Sequence, residues 1–279
     1  MLAVLLAAVL ALAVLAGPVR PAAAATARWA PAASAAIHPG TMTYTRGAQC
    51  TANFVFRDAA RRVYVGYAAH CAGRGEATDT DGCRTRSYPL GTRVRFARGG
   101  SLLTTGSTVG RGRLAYSSWR AMQRLHTRSA RACAFNDLAL VRVDRGAVRR
   151  VNPSVPFWGG PTGLARAGTS AGERVFSFGN SSLRAGLSPL SPKTGASLGD
   201  TDGGWTRSVY TATPGIPGDS GSGFLDARGR AVGVLSTVAV APFGGSNGVG
   251  DLAHELRFAQ RHSGIRGLHL VRGTRPFTG

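Results

Sequence analysis

The chain has 279 residues and a formal net charge of +21, with 34 basic against 13 acidic residues. This length allows a large core in one or two domains. Lys193 is the only lysine, and the arginines are spread along the chain instead of forming one basic run with interleaved aromatic residues. We therefore expect no specific nucleic-acid partner and at most weak attraction to an anionic surface.

An uninterrupted apolar stretch opens the chain at residues 2–16. It is shorter than the roughly 20 residues of a membrane-spanning helix, and small residues that suit a signal peptidase follow it. Residues 1–25 are therefore predicted to be a secretory signal peptide, with an uncleaved anchor as the alternative. The Ala- and Pro-rich residues 26–40 are predicted to be a leader or linker.

Residues 41–155 are predicted to form an N-terminal β-domain. Runs rich in Val, Phe and Tyr, bounded by polar turns, predict strands, and they lie at residues 51–57, 62–69, 92–97 and 138–143. The first two runs form a predicted hairpin, and residues 72–91 form a long loop. Residues 99–131 are weakly patterned, apart from a helical turn predicted near residues 117–125.

The second half, residues 156–279, repeats this style after a Pro-containing crossing at residues 148–168. Further strands are predicted at residues 173–178, 206–213, 222–225 and 231–241, and a loop region at residues 180–204. Residues 252–261 have the spacing of a short amphipathic helix. Many short strands and few helices predict an all-β sandwich or pair of barrels.

The chain has four cysteines, Cys50, Cys71, Cys83 and Cys133. In an oxidising compartment they predict two disulfides, for which three connectivities are open. Metal binding is the rival interpretation. No Cys-x-x-Cys motif is present and the histidines are scattered, so no metal and no cofactor is predicted.

Three short segments carry the chemistry. They are Ala68-Ala69-His70-Cys71, Asn136-Asp137-Leu138-Ala139-Leu140 and Gly218-Asp219-Ser220-Gly221-Ser222-Gly223. A serine hydroxyl attacks well only when a base removes its proton, and here a base, an acid and a serine follow one another in that order. An α/β-hydrolase would have the order Ser, acid, His and a glycine two residues after the serine, where this chain has Ser222. The order of subtilisin, Asp, His, Ser, does not fit either.

Together the three segments resemble those of the chymotrypsin-like (trypsin-fold) serine peptidases, and most of all those of small secreted actinobacterial members. The resemblance covers about residues 50–258. It implies two six-stranded antiparallel β-barrels packed side by side, a short C-terminal helix and a secreted serine endopeptidase. It also implies a disulfide between Cys50 and Cys71, which leaves Cys83 to pair with Cys133.

The resemblance assigns a role to each site residue. Ser220 is implied to be the nucleophile, His70 the general base and then acid, and Asp137 the group that orients His70. The N–H groups of Gly218 and Ser220 are implied to form the oxyanion hole.

One departure from the family concerns activation. The chain has no Ile-Val-Gly-Gly-like start, and Ile37 is the nearest candidate for such an N-terminus. We therefore expect an internal arginine or a polar side chain to be the partner of Asp219.

The substrate specificity is less well defined by the sequence. The resemblance places Pro214 at the base of the primary pocket, and Ser236, Thr237 and Val238 on the strand that binds the substrate backbone. No acid lies at the base, Val238 would narrow the pocket, and Leu235 stands where glutamate-selective members have histidine. A small or medium apolar P1 residue is the prediction.

We expect a monomer that acts on protein or peptide substrates. The alternative is a catalytically silent pseudoprotease that binds peptides or an anionic cell-wall polymer.

Overall fold

A computed structural model describes residues 29–75, 79–238 and 246–279. The predicted signal peptide, the first leader residues and the end of the strand predicted at residues 231–241 lie outside these ranges. The all-β prediction is confirmed, because the described chain forms an eight-stranded antiparallel sheet and a closed six-stranded barrel. One hydrophobic core runs between the two, with Leu140 of the sheet and Val234 of the barrel among its members.

The N-terminal sheet has the strand order β14-β3-β4-β7-β6-β5-β1-β2. Its strands are β1 (Met42–Thr45), β2 (Ala48–Thr51), β3 (Val55–Arg57), β4 (Val63–Ala68), β5 (Arg93–Arg98), β6 (Ser107–Ser117), β7 (Leu138–Val143) and β14 (His269–Leu270). The sheet has eight strands where six were expected. The short β2 lies at one edge, paired with β1, and β14, from the C-terminal end of the chain, lies at the other edge, paired with β3.

The C-terminal barrel closes in the order β10-β13-β12-β11-β8-β9. Its strands are β8 (Ala171–Phe178), β9 (Pro192–Thr201), β10 (Thr206–Thr211), β11 (Gly223–Asp226), β12 (Ala231–Val238) and β13 (Asn247–Asp251). All pairings are antiparallel. Closure pairs every strand on both sides and leaves no exposed edge.

The prediction of a loop region at residues 180–204 is wrong for Pro192–Thr201, which form β9, one of the longer strands of the barrel. Its sequence lacks apolar alternation because its buried side chains are polar: Lys193 and Ser197 are buried, whereas Leu198 is 45% exposed. Gly195 lies so close to the backbone of Tyr210 that a side chain would clash with it. Pairing with both neighbouring strands therefore determines β9, and hydrophobic periodicity does not.

The weakly patterned residues 99–131 contain another strand that the sequence did not reveal, β6. Two of its positions are Gly110 and Gly112, which leave room for neighbouring side chains. A Cβ on Gly110 would lie 2.6 Å from Ile37 Cδ1, and one on Gly112 would lie 2.6 Å from Val141 Cγ1. Glycines in a strand weaken the hydrophobic signal on which sequence interpretation depends.

Residues 29–40, the described part of the predicted leader or linker, pack against the N-terminal half of the molecule. Ile37 has no exposed surface and forms a parallel bridge with Val151. Trp29 stacks against the guanidinium of Arg57, 4.5 Å from the ring centroid. The apolar side chain of Ile37 thus fills the space above Gly110 described above.

Three α-helices occur in the described ranges: α1 (Ser118–Arg124), α2 (Ala130–Phe135) and α3 (Leu252–His262). The first matches the predicted helical turn, and α3 matches the predicted C-terminal helix. The side chain of Asp251 caps α3 by accepting a hydrogen bond from His254 N at 2.7 Å. None of these helices combines the length and apolarity that a membrane crossing needs. Helix α3 packs on β12 and β7, so it contacts both halves of the molecule.

Candidate active site

His70 follows the end of β4, and both of its neighbours in sequence are tied to other parts of the fold. Ala69 N donates to Asp137 O at 2.8 Å, which joins the end of β4 to the start of β7. On the other side, a disulfide joins Cys71 to Cys50 of β2. The neighbours of His70 in sequence are therefore fixed, and its ring remains 20% exposed.

The carboxylate of Asp137 accepts three hydrogen bonds from the residues around it. His70 N donates to Oδ1 at 2.8 Å, and His70 Nδ1 lies 2.7 Å from Oδ2. Ser236 Oγ donates to the same Oδ2 at 2.6 Å. Asp137 itself is 2% exposed. These donors offset the loss of hydration of the buried carboxylate, which faces the imidazole.

The pKa of His70 reflects two opposing effects. Burial lowers it, and the charge of Asp137 together with their hydrogen bond more than offsets burial, so that the pKa lies above its ordinary value of 6.5. A histidine in this setting is a neutral base at alkaline pH and gains a proton readily when a nearby group releases one.

Backbone hydrogen bonds to both halves of the molecule position the loop that carries Ser220. Thr51 N donates to Ser220 O at 2.8 Å, and Gly221 N donates to Leu235 O at 2.7 Å. A Cβ on Gly221 would lie 2.8 Å from Ala68 N, so only glycine allows the loop to approach the end of β4. The structure thus brings the segments of His70, Asp137 and Ser220 together where the sheet meets the barrel.

Gly218 has a left-handed backbone, with φ of +96°, which glycine adopts without strain. Its carbonyl accepts hydrogen bonds from Thr51 Oγ1 at 2.8 Å and from Gln49 Nε2 at 3.1 Å. Within the described residues, no hydrogen bond uses the N–H of Gly218 or of Ser220. Both N–H groups therefore lack an acceptor among the described residues and are available to a ligand.

Asp219 has no exposed surface and is paired with two cations. Arg184 Nη2 donates to Asp219 Oδ2 at 2.7 Å, and Lys193 Nζ lies 3.1 Å from the same oxygen. The main-chain N–H groups of Ser181 and Ile216 also donate to this carboxylate. An internal arginine is therefore the partner of Asp219, as expected, and the single lysine of the chain is a second partner.

Arg184 and Lys193 together carry more positive charge than the single carboxylate of Asp219 can balance. Burial, together with the charge of Arg184, lowers the pKa of Lys193, although Asp219 acts in the opposite direction. Arg184 and Lys193 also donate to Pro214 O, at 2.9 and 3.0 Å. These bonds fix the backbone of the loop that leads to Gly218.

The residues predicted to bind substrate lie around this loop. Pro214 is exposed, and its carbonyl is bound by the buried cations. Ser236 and Thr237 line a cavity of about 220 Å³ together with Phe135. The side chain of Val238 lies outside the described part of the molecule. Asn247, which sequence reasoning missed, is fully buried and accepts a hydrogen bond from Gly215 N at 2.8 Å.

The four cysteines form two disulfides, Cys50–Cys71 and Cys83–Cys133, in the pairing that the family resemblance implies. The second disulfide joins the loop after His70 to α2, the helix that ends just before Asp137. No free thiol is present among them to act as a metal ligand.

Sequence reasoning missed several residues of the site. Gln49 gave no signal in the sequence, because a single polar residue next to a cysteine belongs to no recognisable motif. Lys193 had a weak signal as the only lysine of an arginine-rich chain. Glu255 had a clearer one, because an acid lies next to Leu256 on the apolar face of α3.

No protein-family model and no curated protein matches this sequence. Solved structures do match. Protease A of Thermobifida fusca aligns with a TM-score of 0.51 and 18% identity over 86% of this chain and 100% of its own. A Glu endopeptidase, crystallised with MPD, aligns with a TM-score of 0.51 and 16% identity over 86% of this chain and 94% of its own. The chain therefore has the fold of the chymotrypsin-like serine proteases.

Proposed function

We propose that the protein is a serine endopeptidase that acts through His70, Asp137 and Ser220. The observation that supports this most is the His70 ring, which is held by the buried Asp137 carboxylate beside the Ser220 loop. In the proposed reaction, His70 removes the proton of Ser220 while the serine attacks a peptide carbonyl. His70 then donates that proton to the leaving amine, and water hydrolyses the acyl-enzyme.

The oxyanion that forms in this step would be stabilised by the N–H groups of Gly218 and Ser220. The loop that carries them is fixed by the internal contacts of Asp219 with Arg184 and Lys193. We propose that these contacts make an inserted N-terminus unnecessary for assembly of the oxyanion hole. The location of Ile37 agrees with this, because it is buried and forms an isolated bridge with Val151, in the N-terminal half of the molecule.

We propose polypeptides as the substrates, with a small or medium apolar P1 side chain. The cavity beside Ser236 and Thr237 would accept another side chain of the substrate. Two disulfides support an exported enzyme, since such bonds persist in oxidising compartments. A monomeric state and weak binding to anionic surfaces remain predictions.

Labelling with a fluorophosphonate probe tests the proposed function, because the probe reacts with an activated serine. We expect the wild-type protein to be labelled, and the Ser220→Ala and His70→Ala variants to remain unlabelled. Ser222→Ala is the matched control: its hydroxyl lies in the same motif but is buried and makes no hydrogen bond in the described structure. This variant should label like the wild type.

A folded wild-type protein that stays unlabelled would contradict the proposal and favour a peptide-binding pseudoprotease. A panel of peptides that differ only at P1 tests the specificity. A strong preference for arginine at P1 would exclude the predicted apolar pocket.

A further inference from the structure

Glu255 is buried directly behind Asp137. It belongs to α3 in the C-terminal half, has no exposed surface, and its Oε1 accepts a hydrogen bond from Asp137 N at 2.9 Å. A Cβ on Gly250 would lie 2.8 Å from this Oε1, so the glycine makes room for the carboxyl group. Asp137 is thus held through its side chain by His70 and Ser236, and through its main chain by Glu255.

The hydrogen bonding of Glu255 differs from that of the two other buried carboxyl groups of the site. Asp137 and Asp219 each accept at least three hydrogen bonds. Glu255 accepts one, from Asp137 N, and its Oε2 is buried without a partner among the described residues. A buried ion needs donors or a counter-ion to offset the loss of hydration, and Glu255 has no ion pair in the described structure.

The groups that face Glu255 also disfavour a second negative charge. Asp137 lies on one side and Asp251, at the start of the same helix, on another, while Tyr116 of β6 faces it from the sheet. Arg207 of β10 is the facing cation, and it is already paired with Asp200 and Asp251. Burial first, and then the charges of Asp137 and Asp251, raise the pKa of Glu255 well above its ordinary value.

We propose that Glu255 is a positioning residue, a neutral carboxylic acid that holds the main chain of Asp137 from the opposite half of the molecule. This inference rests on the proposed function, because it concerns the same triad. Glu255 touches no reacting atom. It acts through Asp137, and it makes the geometry of the triad depend on the docking of α3 against β7. A neutral acid supplies the acceptor that Asp137 N needs without adding a charge that would compete for the proton of His70.

Three variants separate this role from simple packing. Glu255→Gln keeps the acceptor and the size of a neutral acid. Glu255→Ala removes the acceptor. Leu256→Ala is the control, because it truncates the next buried residue of α3 and removes no hydrogen bond of Asp137. Each is measured by kcat and KM on a peptide substrate, by the pH profile of kcat/KM, and by thermal unfolding.

We expect Glu255→Gln to keep kcat within about threefold of wild type and to leave the acid limb of the pH profile in place. Glu255→Ala should lose on the order of 10²-fold in kcat with little change in KM, as when a catalytic group is misplaced by about 1 Å. Leu256→Ala should lower the unfolding temperature with kcat nearly unchanged. A folded Glu255→Ala protein with wild-type kcat would overturn the positioning role.

A shift of the acid limb to lower pH in Glu255→Gln would overturn the neutral state, because removing a negative charge near His70 lowers its pKa. The titration of His70 by NMR gives the same information in a Ser220→Ala background, where no activity is needed. An inactive wild type therefore contradicts the proposed function alone. A His70 titration that moves in Glu255→Gln contradicts the present inference alone.

Discussion

Two buried carboxylates of the candidate site, Asp137 and Asp219, lie in opposite electrostatic settings. Asp219 is paired with two cations, Arg184 and Lys193. Asp137 has only the titratable His70 and uncharged donors. These two ion pairs hold the Asp219 side chain in place, which suits a residue that stabilises a loop. A partner that can lose its proton leaves Asp137 able to stabilise a charge that appears and disappears, as general base catalysis requires.

The largest expected effect is the loss of activity in an Asp137 variant. In Asp137→Asn the amide would present a donor to His70 Nδ1 and hold the ring in the wrong tautomer, and kcat should fall about 10⁴-fold. The fold should persist, because the change removes one charge without leaving a fixed cation unpaired. Hydrolysis of a peptide substrate and an unfolding curve measure the two parts. Asp144→Asn, an exposed change beyond the end of β7, should leave both unaltered.

Asp219→Asn should act on stability instead. It leaves Arg184 and Lys193 buried without a carboxylate, and breaking a buried ion pair in this way costs about 3–5 kcal/mol. Denaturant unfolding measures the loss. The matched change Asp202→Asn, in an exposed turn, should cost almost nothing. If Asp219→Asn were as stable as wild type, the bracing role of this cluster would be wrong.

The effect of Asp137 on His70 should also appear in the pH dependence of activity and of stability. Because the pKa of His70 is raised above 6.5, kcat/KM should rise with pH through a midpoint above that value. The stabilisation from the protonated His70–Asp137 pair has the opposite trend: it is complete below about pH 6.5, the ordinary histidine pKa, and is lost as pH rises through the raised value. Steady-state kinetics and unfolding over the same pH range test both, and a midpoint below 6.5 would contradict the Asp137 effect.

The smallest effect is expected from Lys193→Met. Arg184 still balances Asp219 in this variant, and the carbonyls of Pro214 and Thr213 keep other donors. The free energy of unfolding at neutral pH should change by no more than about 1 kcal/mol.

The pH dependence of the wild type provides a second test of Lys193. Because its pKa is lowered in the folded protein, the unfolded chain binds more protons at alkaline pH, and stability should rise with pH there. The methionine variant should lack this rise. A severe loss of stability in the variant would show that both cations are needed.

The sequence alone predicted the candidate catalytic residues and the class of fold. The order of His70, Asp137 and Ser220 and the runs of Val, Phe and Tyr predicted an all-β fold that the structure confirms. These signals are local: a strand is visible when its own side chains alternate, and a motif is visible when its residues are adjacent. They fail at β9, whose buried residues are polar, and at β6, whose glycines leave room for Ile37 and Val141.

Only the tertiary structure decided which groups surround the two carboxylates. Asp137 and Glu255 are 118 residues apart in sequence, and Asp219 and Arg184 are 35 apart. The burial of Lys193 and Glu255 results from closure of the barrel and docking of α3, which no local pattern encodes. The charge state of a buried group depends on every neighbour within a few ångströms, so it is fixed only when the sheet and the barrel come together.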